Sequence, residues 1–268
     1  MIDGRPIVVG VDGSSGSADA VRWAAGEASR RQAPLRVVHA TTPTHLPAMR
    51  STAVGATTGW MDDAERAAAD GVEAARRSHP SITVESKVYL NETPARGLAA
   101  ESESAALVVL GARGRGGFPG LQLGSTAVKV IEVALGPVVV VRGSGTATAG
   151  AGITVGVDGS EPSGRALRFA LEEAVLHATD VTALHAGTKP SAPPFVDAVA
   201  AAAADFPDVR LTQRLVNDRP ADALVEASQD AGLLVVGSRG YGRLVGRVLG
   251  SVSHAVIHRA SCPVAVVR

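Results

Sequence analysis

The sequence predicts an α/β fold made of two tandem units, each a five-stranded parallel sheet wound with helices on both faces. Three observations point to it. One long pattern occurs twice along the 268 residues. Short apolar runs alternate with amphipathic stretches of helical period, the signature of parallel sheets with crossover helices. Aromatic residues are only 3% of the chain, so Val, Leu, Ile and Ala must fill the core, as suits a sheet covered on both sides.

The repeat is read directly. Ile7–Ser14 (IVVGVDGS) returns as Ile153–Ser160 (ITVGVDGS), and Leu35–Ala40 (LRVVHA) as Val181–Ala186 (VTALHA), both at an offset of 146. Gly111–Ser125 returns as Gly237–Ser251, and Pro137–Arg142 (PVVVVR) as Pro263–Arg268 (PVAVVR), at an offset of 126. The drop in offset places 20 extra residues in the first copy, between about Thr41 and Ser81. The polar segment 143–152 (GSGTATAGAG) is expected to be a flexible linker. Domains are therefore expected at 1–142 and 153–268.

Each copy reads β-α-β-α-β-α-β-α-β. Strands are expected near 7–12, 35–40, 82–89, 106–111 and 137–141, then near 153–158, 181–186, 208–216, 232–237 and 263–267. Helical patterns cover Ala18–Arg31, Arg165–His177, Thr126–Val133 and Val252–His258. Thr93-Pro94 is a helix start, with Thr as N-cap and Pro at the first helical position. In such sheets ligands bind beyond the carboxyl ends of the strands, where the strand order reverses.

Composition excludes several classes. Lys+Arg and Asp+Glu both number 26, so no basic field supports nucleic-acid binding. No apolar run reaches the roughly 18–20 residues of a membrane span. Met1–Pro6 lacks a basic region leading into an apolar core, so a cytoplasmic location is expected. The single cysteine, Cys262, forms no intrachain disulfide framework and is expected to be buried and inert.

The chemistry lies in a loop after the fourth strand of each copy. It reads Gly111-x2-Gly114-x9-Gly124-Ser125 and Gly237-x2-Gly240-x9-Gly250-Ser251. Glycines permit close backbone approach, and main-chain amides at a helix start favour anions. The Ser125 and Ser251 hydroxyls add phosphate donors or cation ligands, and Arg113 and Arg239 can pair with phosphate. No G-x-x-x-x-G-K-[ST] motif occurs, which argues against a P-loop phosphotransferase. A weak dinucleotide pattern at Gly114-Gly116-Gly120 and Gly240-Gly242-Gly246 follows the fourth strand rather than the first, so it is rejected.

On the paired VDGS strand ends, the two glycine loops and the closing PVVVVR and PVAVVR strands, nearly the whole chain resembles the tandem members of the universal stress protein family. The resemblance implies Rossmann-like domains of the HUP type and an ATP-binding subclass, with Mg²⁺ accompanying the nucleotide. It places Asp12, Gly13, Asp158 and Gly159 near the adenosine, and His39-Ala40 and His185-Ala186 near the base. Gly111, Arg113, Gly114, Gly124, Ser125 and Thr126 would hold ribose and phosphates in the first site. Gly237, Arg239, Gly240, Gly250, Ser251, Val252 and Ser253 would do so in the second. It also suggests that the copies pair through their final strands; beyond the resemblance, a homodimer of chains is expected. The sequence departs from the family at Glu92 and Asp218, where glycine often stands two residues before the helix proline. Phe118-Pro119 in the first loop corresponds to Leu244-Val245 in the second. Arg239, Arg243 and Arg247 make the second site the expected stronger binder.

Plainer readings stand beside these. Asp12 and Asp158 also suit Asx-turns. His39 and His185 suit packed strand ends. His254 and His258, four apart, have metal-ligand spacing but no third ligand, and the matching residues are Val128 and Glu132, so no metal site is expected. The expected function is nucleotide-dependent regulation of stress response or growth through a protein partner. A slow ATPase and a nucleotide-independent scaffold are the alternatives; no catalytic base stands out for the former.

Overall fold

The computed structural model describes residues 4–42, 54–115, 123–142, 151–187, 193–240 and 249–268. The chain divides into two compact units, Met1–Val141 and Arg142–Arg268. The first contains β1 (Ile7–Gly10), α1 (Ser15–Arg31), β2 (Leu35–Thr41), α2 (Val54–Ser78), β3 (Val84–Leu90), α3 (Pro94–Glu101), β4 (Leu107–Gly111), α4 (Ser125–Val133) and β5 (Val138–Val141). The second contains β6 (Ile153–Gly156), α5 (Glu161–His177), β7 (Val181–Ala186), α6 (Pro193–Asp205), β8 (Leu211–Val216), α7 (Pro220–Ala227), β9 (Leu233–Gly237), α8 (Ser251–Arg259) and β10 (Val264–Val267).

The strand order within the first unit is β3-β2-β1-β4-β5, and within the second β8-β7-β6-β9-β10. The pairings are parallel, as the alternating pattern predicts. The chain winds one way from β1 to β2 and β3, then returns to the other side of β1 for β4. The carboxyl ends of β1 and β4, and of β6 and β9, therefore diverge and leave a crevice. Helix α1 packs beside α2 and α3 beside α4, with the sheet between them; α5 packs beside α6 and α7 beside α8.

The central strands are buried throughout: Ile7, Val8 and Val9 in β1, Val108 and Val109 in β4, Val155 in β6 and Leu234 and Val235 in β9. Burying apolar surface stabilises by about 25 cal/mol per Å², so such strands anchor each unit. β5 and β10 are also buried along their whole length. By contrast β3 and β8 are largely exposed.

The first and sixth strands end at Gly10 and Gly156, two residues earlier than the apolar pattern suggests. Val11 and Val157 remain buried, but the chain is already turning towards the site. Helix α1 starts three residues early because Ser14 caps it, accepting from the Ser17 N–H; Ser160 caps α5 by accepting from Ser163. Thr93 is the N-cap of α3, yet its side chain makes no capping bond. The Glu92 Oε1 accepts from the Thr93 N–H at 3.0 Å, and Asp218 Oδ1 from Arg219 at 2.6 Å. Those two carboxylates therefore serve the loops that lead into Pro94 and Pro220, and in the first unit Asn91 takes the positive φ of 63°.

Candidate functional site

A cavity opens at the crevice in each unit, about 350 Å³ in the first and about 250 Å³ in the second. Asp12, Ala40, Gly111, Arg113, Gly114, Gly124, Ser125 and Thr126 all line the first. Asp158, Ala186, Gly237, Arg239, Gly240, Gly250, Ser251, Val252 and Ser253 all line the second. Gly13 and Gly159 line neither. They take φ of 77° and 90° and shape the turn that follows the strand, which only glycine does without strain.

That turn folds around the aspartate. Asp12 Oδ1 accepts from the Ser14 N–H at 3.0 Å and from its hydroxyl at 2.6 Å; Asp158 does the same with Ser160 at 2.9 and 2.6 Å. The Asx-turn reading is thus realised in both copies. Asp12 also reaches the glycine loop: its Oδ2 accepts the Arg115 N–H at 2.8 Å and tethers that segment.

The glycines differ in what they do. A Cβ on Gly111 would overlap the backbone of Gly16, and a Cβ on Gly237 would lie 3.0 Å from Pro162. These two let the loop lie against the first turn of α1 or α5. A Cβ on Gly114 or Gly240 would overlap the carboxylate of Asp12 or Asp158.

Helices α4 and α8 begin after Gly124 and Gly250, and neither N-cap offers a side-chain acceptor. Their first amides therefore keep their partial positive charge for whatever enters the cavity. Ser125 and Thr126 bring hydroxyls to the first of these ends, and Ser251 to the second. The Ser253 hydroxyl donates instead to the Gly237 carbonyl at 2.6 Å, so its proton is committed within the protein.

The apolar part of each lining adds residues that the glycine-loop motifs do not mark. Val11, Val38, Leu98 and Leu110 form it in the first unit, and Val157, Leu184, Leu224 and Val236 in the second. A sequence signal existed: each pair matches at the repeat offset and is apolar in both copies. Pro94 and Pro220, which start α3 and α7, also reach the cavities.

His39 and His185 do not line the cavities. Each ring places Nδ1 2.8 Å from a carbonyl, that of Val11 or Val157. Burial lowers the His39 pKa, against the opposing effects of that bond and of Asp12. The His254 and His258 rings lie 4.5 Å apart. His258 is pushed down by burial, by His254 and by Arg142, and that positive neighbour opposes a bound cation. Cys262 is buried, and burial pushes its thiol up to about 12. Phe118, Pro119, Leu244, Val245, Arg243 and Arg247 lie outside the described residues, as do Gly116, Gly120, Gly242 and Gly246 and most of the 143–152 linker.

The family model for universal stress proteins matches residues 4–142, 152–202 and 195–268. The chain belongs to the universal stress protein family. It is similar to a universal stress protein of Mycolicibacterium smegmatis, 35% identical over 293 residues, covering 98% of this chain and 96% of that protein. A crystal structure of an Archaeoglobus fulgidus universal stress protein shares its fold with a TM-score of 0.81 at 19% identity, covering 99% of both chains. Another Archaeoglobus fulgidus universal stress protein, solved in complex with dAMP, aligns with 53% of this chain and 100% of its own, at 29% identity and a TM-score of 0.38. Among the described residues of this universal stress protein, no helix is long and apolar enough to cross a membrane.

Proposed function

We propose that each unit binds ATP, and that the protein acts as a nucleotide-dependent regulator of stress response or growth. The observation that carries this reading is the uncapped glycine start of α4 and α8, set at the mouth of an apolar pocket beside Arg113 or Arg239. An apolar slot suits a flat base, and free helix amides with an arginine suit a phosphate chain. The serine caps of α1 and α5 line neither cavity. Helices α3 and α7 also start without a side-chain cap, but proline removes an amide from their first turn, so α4 and α8 offer the fuller set of free amides.

Mg²⁺ fits this donor set. The hydroxyls of Ser125, Thr126 and Ser251 are hard oxygen ligands, and the ion would take its other ligands from phosphate and water. Among the described residues, Asp12 and Asp158 are the only carboxylates on the two linings. Asp12 already accepts at both oxygens, so it is poorly placed as a hydrolytic base. This favours binding over turnover. Regulation then follows from occupancy: ATP biasing the positions of the glycine loops and of α4 and α8 changes the surface offered to a protein partner, provided it binds the two states unequally. We place this activity in the cytoplasm and in a homodimer.

Nucleotide released from freshly purified, denatured protein should include ATP, and calorimetry should give two sites per chain. Absence of bound nucleotide together with no heat on adding Mg²⁺-ATP would overturn the reading.

A further inference from the structure

We propose that His39 and His185 are positioning residues of the two sites, each holding the carbonyl that precedes the site aspartate and so setting where Asp12 or Asp158 points. The inference rests on the nucleotide-binding reading above and deepens it.

Strand β1 leaves the sheet just before the site. Its last register pair with β2 is Gly10 with Val38. One residue on, the Val11 N–H still donates to the Val38 carbonyl at 2.9 Å, and Val157 donates to Leu184 at the same distance. The next ladder position is lost, because β2 continues alongside β3 while the first strand turns away. The Val11 carbonyl would then lack a strand partner in a largely buried place. The imidazole of His39 supplies one at 2.8 Å, and His185 does so for Val157 at 2.8 Å. A carbonyl only accepts, so Nδ1 carries the proton in both rings.

Val11 is thereby held by β2 through both its N–H and its C=O. The next group along is the Asp12 side chain, which joins the Ser14 turn to the Arg115 amide at 2.8 Å. A chain of contacts runs from β2 through His39, the Val11 carbonyl and Asp12 to the glycine loop. Two copies of the imidazole contact, built at equivalent positions on strands that otherwise share only the alanine after the histidine (LRVVHA and VTALHA), place the same geometry in both sites. Burial favours the neutral His39 ring, whose single proton is committed to this bond. In the second unit Phe195 packs on the His185 ring, centroids 5.3 Å apart, and restrains its plane.

The experiment uses the full chain with His39→Leu and His39→Asn, each with the second site disabled by Gly240→Ala. Asn can present an N–H where Nδ1 stood, whereas Leu fills space without a donor. Leu is expected to weaken Mg²⁺-ATP binding about tenfold, the scale of one lost hydrogen bond. Asn is expected to recover affinity to within about threefold of the parent, a smaller loss on the same scale. Two ligand-free readouts accompany this. Nitrogen NMR of the histidine rings should show the Nδ1–H tautomer at both His39 and His185. Hydrogen exchange at the Arg115 amide should quicken in His39→Leu and slow again in His39→Asn.

Leu and Asn behaving alike in binding and in Arg115 exchange would overturn the proposal, as would the Nε2–H tautomer at both rings. If the parent binds no ATP, the functional reading falls while the tautomer and exchange results still decide the histidine role. If the Leu variant fails to fold, the Asn variant and the ring spectra decide it.

Discussion

Gly114 lies against the carboxylate of Asp12 so closely that a single added Cβ would overlap it, and Gly240 stands in the same relation to Asp158. The carboxylate that follows the first strand and the glycine that follows the fourth therefore occupy one shared space. Neither residue has its meaning alone. The glycine leaves room for the carboxylate, and in the first unit the carboxylate tethers the loop through Arg115.

Gly114→Ala and Gly240→Ala should each disable one site. Overpacking of this kind costs about 1–3 kcal/mol. Where about 1.4 kcal/mol of that falls on the bound state, affinity drops about tenfold. Calorimetry with Mg²⁺-ATP should show one strong site remaining in each single variant and none in the double. Two undiminished sites in the double variant would mean that the loop adapts and the shared space is irrelevant to binding.

The glycines of the loop should also separate by fold stability. Gly111→Ala forces a methyl into the Gly16 backbone, where nothing flexible can yield, and should cost about 1–3 kcal/mol. A Cβ on Gly124 meets Ala112 O at 3.6 Å and Gly114 N at 3.9 Å, both ordinary contacts, and the residue has an ordinary φ of −76°. Gly124→Ala should cost under about 1 kcal/mol, the difference between a glycine and an alanine N-cap. Urea melts of the two variants would rank them, and equal losses would contradict the assignment of Gly111 to packing.

Helix α5 ends on Ala178, held at φ 48° in the left-handed region. A side-chain-bearing residue there costs roughly 1–2 kcal/mol, which glycine avoids. Ala178→Gly should therefore stabilise the protein by up to about 1 kcal/mol once the greater freedom of glycine in the unfolded chain is counted. A thermal midpoint that stays or falls would show that the Ala178 backbone is not strained.

Much of this architecture was legible in the sequence because the chain states it twice. The duplicated VDGS and G-x2-G-x9-G-S segments located both cavities, and the alternation of Val-rich runs with helical stretches implied parallel strands. Element ends were less legible. Hydrophobic pattern alone extends β1 through Val11, since Val11 is buried whether or not it stays in the ladder. The apolar walls are hidden for a similar reason: Leu98 and Leu224 look like ordinary core positions, and only the fold shows that they face a cavity. Ser253 reads as a phosphate donor by its place beside the glycine loop, yet its hydroxyl turns back to Gly237, a choice of rotamer that no motif encodes.

The buried carboxylate of Glu101 should make the first unit acid-sensitive in a way the second does not share. Glu101 is 3% exposed. It accepts from Arg36 Nη1 at 2.6 Å, from Lys87 Nζ at 2.7 Å and from the Tyr89 hydroxyl. In the second copy Ala227 replaces Glu101, and the strand register places Thr182, Arg214 and Val216 where Arg36, Lys87 and Tyr89 stand, so the carboxylate at the centre of this cluster is missing. Burial by itself would raise the carboxyl, but the bonds from Lys87, Tyr89 and Arg36 outweigh it and hold the group at about 2 against an ordinary 4.5. A carboxyl whose folded value is depressed stabilises the fold above its unfolded value and loses that contribution as pH falls through the folded one. The contribution should be complete above pH 4.5 and fade towards pH 2. Glu101→Gln keeps the shape and removes the charge, and at pH 7 should cost about 1.5–3 kcal/mol, the range for hydrogen bonds to a charged group. Partial exposure of Lys87 and Arg36 argues for the lower part of that range. Urea melts of parent and Glu101→Gln from pH 7 down to pH 2 should show two stabilities that converge on acidification. A gap that stays constant over that interval would mean that the Glu101 charge contributes nothing and that only its packing matters.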